Sequence, residues 1–266
     1  MADLVRFTCI IPFRARGLDR WPNLLATLAW YSMLHDTELL LVEQDEQTRI
    51  DRSALPEQVK HLFLYNRGPF NKSWAFNVGA ANARGEVLAL VDADVLVEIP
   101  VVQACFEECV GGIQAINPYS TLLDLDKGRT ELFRRTGHIE GRGEDSFNRD
   151  YKGEYLCFCG GVYVVRKDAY LELGGQDERF LGWGGEDDAM SIKLSSLENI
   201  AVNRSAVAYH LFHMPAPRTP EEDVLYQRNL ALLEEYRRMT RVELALLCAR
   251  HRKTMGDPDK YARGSS

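Results

Sequence analysis

Apolar residues recur with two different periods along the first hundred positions of the chain. Short apolar runs at 6–13, 37–47 and 59–68 are typical of strands that are covered on both faces. Between them, residues 20–34 and 71–84 place apolar side chains at helical spacing. Because parallel strands need crossover connections, this alternation predicts an α/β domain with a mostly parallel central sheet flanked by helices.

A fourth strand is predicted in "LALVDADVLV", residues 88–97, which carries Asp92 and Asp94. Residues i and i+2 share a strand face, so we expect both carboxylates to point the same way at the strand's polar end. Their repulsion costs free energy unless a cation, a proton or an arginine neutralises it. Mn²⁺ or Mg²⁺ would do so and also bind phosphate oxygens. For this short motif alone, a solvated loop is the favoured alternative.

The second half of the chain is less regular. Residues 119–155 combine many charges and several glycines with little periodicity, which is typical of a functional lid or of disorder, and we expect 128–155 to close over a bound ligand. A strand and a short helix are predicted in 155–175, and a strand ending in histidines in 200–213. Thr219 is a plausible N-cap of a C-terminal helix that begins at Pro220.

Composition narrows the class of protein. A hydrophobic share of 45% in 266 residues suits a globular core. The formal net charge of −7 argues against non-specific electrostatic binding of nucleic acid or anionic lipid, so the expected partner is a small molecule. With no signal-peptide pattern and no long apolar run, we expect a cytoplasmic protein. The cysteines are interpreted as reduced structural thiols: Cys9, Cys105, Cys109, Cys157, Cys159 and Cys248.

Two further sequence motifs contain candidate functional residues. "FLGWGGEDDAM" brings together an aromatic platform, flexible backbone and consecutive acids: Trp183, Gly184, Gly185, Glu186, Asp187 and Asp188. These acids also suit a helix N-terminus, and both interpretations can hold at once. Near the end of the last predicted strand, "AYHLFHMPAPR" carries His210 and His213, and an imidazole there can complete a metal site with the aspartates.

Five motifs occur in a fixed order: "IIPFRAR", "FNKSWAFNVGAANA", "DAD", "CGGV" and "WGGEDD". Together they resemble the GT-A glycosyltransferases, most closely the catalytic domain of the β-1,4-galactosyltransferases and related bacterial enzymes of the family 2 type. The resemblance implies a GT-A catalytic domain over residues 1–218, with 219–266 as a helical extension packed on it. It also implies metal-dependent transfer of galactose or N-acetylgalactosamine from a UDP-sugar to a hydroxyl of a glycan or other acceptor.

Roles follow from the resemblance position by position. Asp187 would be the catalytic base, with Glu186 and Asp188 positioning hydroxyls, and Trp183 would border the acceptor site together with Gly184 and Gly185. The related polypeptide N-acetylgalactosaminyltransferases retain configuration and carry Asn at the position of Asp187, so the acid here favours inversion.

The resemblance also implies the donor and metal residues. The nucleotide-sugar set is Pro12, Phe13, Arg14, Arg16, Glu43, Phe70, Lys72, Asn77, Asp92, Gly160 and Gly161, with Asp45 as an alternative to Glu43. Lys72 stands where the family has arginine, which keeps the charge but loses the bidentate fork. Asp94 would bind Mn²⁺ or Mg²⁺, with Asp92 beside it, and His210 is preferred over His213 as the histidine ligand.

Three alternatives remain open at this point. The chain could use another nucleotide sugar within the same fold, or bind nucleotide sugars without turnover. A nucleotidyltransferase also uses paired acids on an α/β sheet, but no glycine-rich, lysine-containing phosphate loop lies near the first strand. The donor sugar, the acceptor and the linkage depend on a few pocket side chains that the sequence pattern does not define.

Overall fold

The computed structural model describes residues 5–15, 17, 19–139, 158, 160–203, 205–214 and 219–262, together with the backbone of 147–150. Of the predicted lid 128–155, residues 140–146 and 151–155 lie outside the described residues. So do Arg16, Cys157 and Cys159 of the predicted sets.

The described strands and helices alternate through the first half of the chain and end in two helices. The strands are β1 Phe7–Phe13, β2 Thr37–Asp45, β3 Val59–Tyr65, β4 Val87–Val91, β5 Val95–Val97, β6 Ala115–Asn117, β7 Thr121–Asp124, β8 Phe147–Asp150, β9 Val162–Arg166, β10 Ile200–Val202 and β11 Val207–His210. The helices are α1 Arg20–Tyr31, α2 Lys72–Asn82, α3 Ile99–Val110, α4 Lys127–Thr136, α5 Lys167–Glu172, α6 Glu186–Leu194, α7 Pro220–Arg238 and α8 Arg241–His251.

The central sheet has seven strands in the order β10-β6-β9-β4-β1-β2-β3. All neighbouring pairs are parallel except those of β9, which runs antiparallel to β4 and β6. Successive residues of β1 enter opposite core layers: Cys9 and Ile11 pack on the α1 and α3 side, and Ile10 on the α2 side. Both faces are covered, as expected for buried parallel strands, so the predicted mostly parallel sheet is confirmed.

A second sheet of four strands, in the order β5-β11-β7-β8, lies beside the first. It accounts for two errors of the sequence analysis. Strand β4 ends at Val91 and Asp92 to Asp94 form a turn before β5, so the expectation that both aspartates share a strand face is wrong. The segment interpreted as irregular from residue 119 onward contains β7 and α4, which lack a clear sequence period because they are short and only partly buried.

The C-terminal segment forms two helices with similar N-termini. Thr219 caps α7 through a capping box with Glu222, with Pro220 at the first helical position, and Thr240 caps α8 in the same way. Both helices add buried side chains to the core layer that covers α2, among them Leu233 and Leu247. Within the described part of the chain, no helix is long and apolar enough to cross a membrane.

Helix α8 also closes a buried polar contact at the end of α6. The fully buried ammonium of Lys193 donates to the carbonyls of Leu173 and Gly175, at 3.1 and 2.7 Å, and lies 3.1 Å from Nδ1 of His251. Burial and the nearby Lys193 charge lower the pKa of His251 to about 4, while Asp177 opposes the shift. Neutral His251 therefore accepts from Lys193, and protonation would place two cations side by side.

We expect the free energy of unfolding to fall as the pH falls from about 6.5 towards 4. In that window unfolded His251 binds a proton and folded His251 does not, so acid favours the unfolded state. The loss attributable to His251 between pH 7 and pH 5 is about 2 kcal/mol. Urea unfolding at both pH values measures it, with His251→Gln as the control because glutamine accepts from Lys193 without titrating. An equal pH dependence in both proteins would contradict this assignment.

Candidate functional site

Three side chains form a candidate metal site just beyond the carboxyl end of β4, which we call the His–Asp cluster: Asp94, His210 and His213. One ligand atom from each lies within 4.8 Å of the others. The Nε2 atoms of His210 and His213 are 3.8 and 3.5 Å from the Asp94 carboxylate. Asp94 is 5% exposed, so its charge is held away from bulk water. A carboxylate and two imidazoles suit a divalent transition metal such as Mn²⁺.

Strand register brings these residues together. His210 pairs with Val95 across the antiparallel β5·β11 ladder and with Asp124 across the parallel β7·β11 ladder. The first pairing places His210 beside the turn that carries Asp94, and the second sets its Nδ1 at 2.7 Å from Oδ1 of Asp124. Asp124 therefore orients the ring and leaves Nε2 towards Asp94, the usual arrangement of a metal-binding histidine.

The charged groups of the His–Asp cluster shift one another's pKa values. Burial opposes ionisation of Asp94, but His210 and Arg20 outweigh it and lower the pKa of Asp94. Burial likewise favours neutral His210, yet its hydrogen bond with Asp124 and the negative charges of Asp94 and Asp124 raise its pKa to about 9. Burial and Arg20 lower the pKa of His213. Nη1 of Arg20 donates to Oδ2 of Asp94 at 2.7 Å, a contact that the sequence analysis missed.

A second group, the acid–lysine cluster, lies on the other side of the same turn. Its members are Lys72 from the first turn of α2, Asp92, and Glu186 and Asp187 from the first turn of α6. Lys72 Nζ lies 3.0 and 2.9 Å from the two Asp187 oxygens, 3.2 Å from Glu186 and 3.6 Å from Asp92. In this conformation Lys72 neutralises the predicted base and two of its neighbours.

Burial and the attraction between opposite charges shift the pKa values of this cluster in opposite directions. It would lower the pKa of Lys72, but attraction to Asp187, Asp92 and Glu186 outweighs burial and raises that pKa well above its ordinary value. Burial raises the pKa of Asp92 and of Glu186, and Lys72 opposes both shifts. The pKa of Asp188 is also raised, first by burial and then by Asp187. Asp187, whose side chain is 26% exposed, is the solvent-accessible carboxylate nearest to Lys72.

Several residues of the predicted nucleotide-sugar set use their polar groups inside the protein. Glu43 is fully buried and accepts from Thr48, from the backbone of Arg49 and from His61. Asn77 is also fully buried, and its amide is bonded to Gln176, Glu178 and Tyr170. The structure does not bring either side chain to the two clusters.

Arg14 holds backbone together at the carboxyl end of β2. Its guanidinium donates to the carbonyls of Gln44, Gly68 and Asn66 at 2.6, 2.7 and 3.0 Å, and lies 5.7 Å from the ring of Phe70. Asp45, the alternative to Glu43, is partly buried and accepts from the backbone of Glu46. Pro12 and Phe13 are buried within β1.

The two glycines before β9 allow a close backbone approach. Gly161 has φ +84°, and a Cβ there would lie 2.7 Å from the Tyr119 hydroxyl. Its N–H donates to Oδ2 of Asp92, and Gly161 accepts from the Asp92 N–H at 2.7 Å. Gly160 accepts from the Tyr119 hydroxyl. Gly161 thus fixes Asp92 at the boundary between the two clusters, and Gly160 fixes Tyr119 beside it.

The segment before α6, residues 181–185, is called the WGG loop below. The Trp183 side chain is 64% exposed, and Gly184 and Gly185 have φ values of +106° and +85° that favour glycine. Oε2 of Glu186 accepts from the Gly184 N–H at 2.9 Å. Asp187 and Asp188 follow in the first turn of α6, as the helix N-terminus interpretation predicted.

Comparisons with known proteins agree with this architecture. A family model described as the N-terminal domain of galactosyltransferase matches residues 143–215. Bovine and human polypeptide N-acetylgalactosaminyltransferase 6 are 24% and 23% identical over 256 residues, which cover 82% of this chain. The chain spans 40% of the length of these relatives.

Two solved structures resemble the whole fold. GalNAc-T7, solved with UDP, GalNAc and Mn²⁺, superposes with a TM-score of 0.57 at 15% identity, over 89% of this chain and 50% of that chain. The catalytic domain of Drosophila β1,4-galactosyltransferase 7, solved with xylobiose, gives 0.50 at 16% identity, over 83% and 79%. The chain has the GT-A glycosyltransferase fold, and the resemblance identified from its motifs is confirmed.

Proposed function

We propose that this chain is an inverting, divalent-metal-dependent glycosyltransferase that moves galactose or N-acetylgalactosamine from a UDP-sugar to a hydroxyl of a glycan or other acceptor. The observation that carries the proposal is that the two clusters meet in one turn. Asp92 belongs to the acid–lysine cluster, and Asp94, two residues later, belongs to the His–Asp cluster. A candidate metal site and a candidate base therefore lie next to each other at the carboxyl end of β4, in a chain with the GT-A fold.

The donor set of the His–Asp cluster fits a resident Mn²⁺ better than Mg²⁺, because two of its three ligands are imidazoles and Mg²⁺ prefers oxygen. Asp94, His210 and His213 would hold the ion, and Asp124 already fixes the His210 ring in the orientation that ligation needs. Bound there, the ion supplies Lewis-acid stabilisation of the negative charge that gathers on a departing diphosphate. The structural neighbour GalNAc-T7 was solved with Mn²⁺ and UDP, which supports this assignment.

On the acceptor side, Asp187 is proposed as the general base. Its carboxylate takes the proton of the attacking hydroxyl as the hydroxyl oxygen bonds to the anomeric carbon, and the bond from that carbon to the diphosphate breaks with its electron pair on UDP. Lys72 contacts both Asp187 oxygens and must release at least one of them before Asp187 accepts a proton. A base opposite the leaving group gives inversion of configuration.

The test is a panel of UDP-galactose, UDP-N-acetylgalactosamine, UDP-glucose, UDP-N-acetylglucosamine and GDP-mannose, assayed for release of nucleoside diphosphate with Mn²⁺ and with EDTA. We expect Mn²⁺-dependent UDP release from one of the two galacto-configured donors, and β-linked product by NMR. Release of GDP alone would favour the same fold with another donor. Tight UDP binding without turnover would favour the non-catalytic alternative. The predicted cytoplasmic location stays a prediction.

A further inference from the structure

Side chains of helix α7 contact the WGG loop. This helix begins at Pro220, after the segment 143–215 that the galactosyltransferase family model matches. We propose that Tyr226 and Asn229 of α7 are positioning residues that hold Trp183 in one orientation and thereby set the preference for the acceptor. The part concerning the acceptor rests on the proposed function. The positioning itself does not depend on turnover.

Tyr226 packs against the WGG loop. Its ring stacks on the indole of Trp183 with centroids 5.3 Å apart and planes inclined by 22°. The same ring lies against the backbone of Gly184, where a Cβ would come within 2.7 Å of two Tyr226 ring carbons. One aromatic side chain thus contacts two consecutive residues of the loop, and the indole remains 64% exposed.

Asn229, one helical turn further along α7, fixes the loop backbone. It is 1% exposed, and its Nδ2 donates to the carbonyls of Leu181 and Trp183 at 2.9 and 3.2 Å. The N–H of Leu181 donates back to Oδ1 of Asn229 at 3.4 Å. A buried amide with both groups in use has few alternative positions, because any movement leaves a polar atom unpaired.

The two contacts have a common consequence for ligand binding. An indole that rests on a second ring presents its accessible surface in a fixed direction, so less conformational entropy is lost when a sugar ring packs against it. Without Tyr226 the indole gains rotamers, and binding of the acceptor must select one of them. We therefore expect α7 to act on the acceptor and to leave the donor largely unaffected.

The matched variants are Tyr226→Phe, which keeps the ring, and Tyr226→Leu, which keeps bulk without stacking. Fluorescence of Trp183 is isolated from that of the other three tryptophans by subtracting the spectrum of Trp183→Phe. We expect acrylamide quenching and depolarisation of the Trp183 signal to rise in Tyr226→Leu and in Asn229→Ala, and to stay at the wild-type level in Tyr226→Phe. Unchanged Trp183 signals in both disruptive variants would overturn the positioning role, whether or not the protein is an enzyme.

The second measurement is kinetic and uses methyl β-glycosides of xylose, glucose, galactose and N-acetylglucosamine as acceptor probes. For whichever probe stimulates UDP release, we expect the acceptor KM to rise about 3- to 10-fold in Tyr226→Leu, with the donor KM unchanged and full recovery in Tyr226→Phe. Equal rises in donor and acceptor KM, or a loss confined to thermal stability, would overturn the role in acceptor preference. If no donor in the panel releases UDP from the wild type, the proposed function fails while the fluorescence result still decides the positioning role.

Discussion

Replacing Asp187 with asparagine is expected to lower kcat for sugar transfer by about 10²–10⁴-fold, the usual contribution of a positioned general base. Asparagine keeps the size of the side chain and one acceptor for the Lys72 ammonium, which now lies 2.9 and 3.0 Å from the two carboxylate oxygens. It cannot take the proton of the attacking hydroxyl. The donor KM should change little, because the metal and diphosphate side of the site is untouched. Initial rates of UDP release at saturating donor and acceptor measure the effect.

Asp188→Asn is the matched control for this prediction. Asp188 is the next residue of α6 and is partly exposed, and the resemblance gives it a role in positioning hydroxyls rather than in taking a proton. We expect its loss of kcat to be smaller than that of Asp187→Asn by at least about tenfold. Equal losses in the two variants, or wild-type kcat in Asp187→Asn, would remove Asp187 as the base.

Replacing Asp94 with asparagine is expected to abolish most metal-dependent activity, with a loss of at least about 100-fold at fixed Mn²⁺. Asp94 is the single carboxylate of the His–Asp cluster, and its charge is also what attracts both imidazoles and Arg20. Without that charge, a divalent cation would meet two imidazoles and the Arg20 guanidinium with no carboxylate from this cluster. The measurement is Mn²⁺ affinity by titration calorimetry, together with the Mn²⁺ dependence of UDP release.

Comparing Asp92→Asn with Asp94→Asn distinguishes the roles of the two aspartates in the turn. The sequence-based prediction placed Asp92 beside the metal, whereas its carboxylate contacts Lys72 and the Gly161 N–H in the acid–lysine cluster. We expect Mn²⁺ affinity to remain within about threefold of wild type in Asp92→Asn and to fall by more than about tenfold in Asp94→Asn. Similar losses of affinity in both variants would show that the metal bridges the turn and that the division into two clusters is wrong.

The folded fraction of each variant must be measured, because Asp92, Asp94 and Asp187 each take part in a partly buried charged contact. Loss of Asp94 leaves the Arg20 guanidinium and the His210 imidazolium without their common partner. Loss of Asp187 leaves Lys72 with Glu186 and Asp92. Breaking a buried pair commonly costs about 3–5 kcal/mol, so urea unfolding of each variant accompanies the kinetic measurements.

The periodic apolar pattern identified β1, β2, β3, α1 and α2 near their observed bounds. These elements are long and covered by other layers, so their buried apolar residues recur at a clear helix or strand spacing in the sequence. The sequence analysis missed β7, included β5 in the single strand predicted over 88–97, and merged β10 and β11 into the single strand predicted over 200–213. These strands have only three or four residues each, too few for a clear period. They matter for the site because their pairings, rather than their own composition, bring His210 to Asp94 and Asp124.

Sequence alone also identified residue types that converge in space. Asp94, His210 and His213 were all proposed as metal residues, and the structure places them in one cluster. The contacts of Lys72 were not foreseen: a role towards the nucleotide was inferred from its position in "FNK", whereas its ammonium contacts a carboxylate 115 residues away. Arg20, Asp124 and Tyr226 were missed because no local motif marks them.

What the sequence determined by itself is the class of fold, the order of its principal elements and the inventory of acids, histidines and glycines near strand ends. The tertiary structure decided how that inventory is divided: Asp94 with two histidines, Asp92 with a lysine and the candidate base, Glu43 and Asn77 into the interior. The physical reason is that periodicity records which side of an element is buried, and this is a local property. Pairing of charges depends instead on strand register and helix packing between segments up to about 120 residues apart, and only the folded chain specifies those.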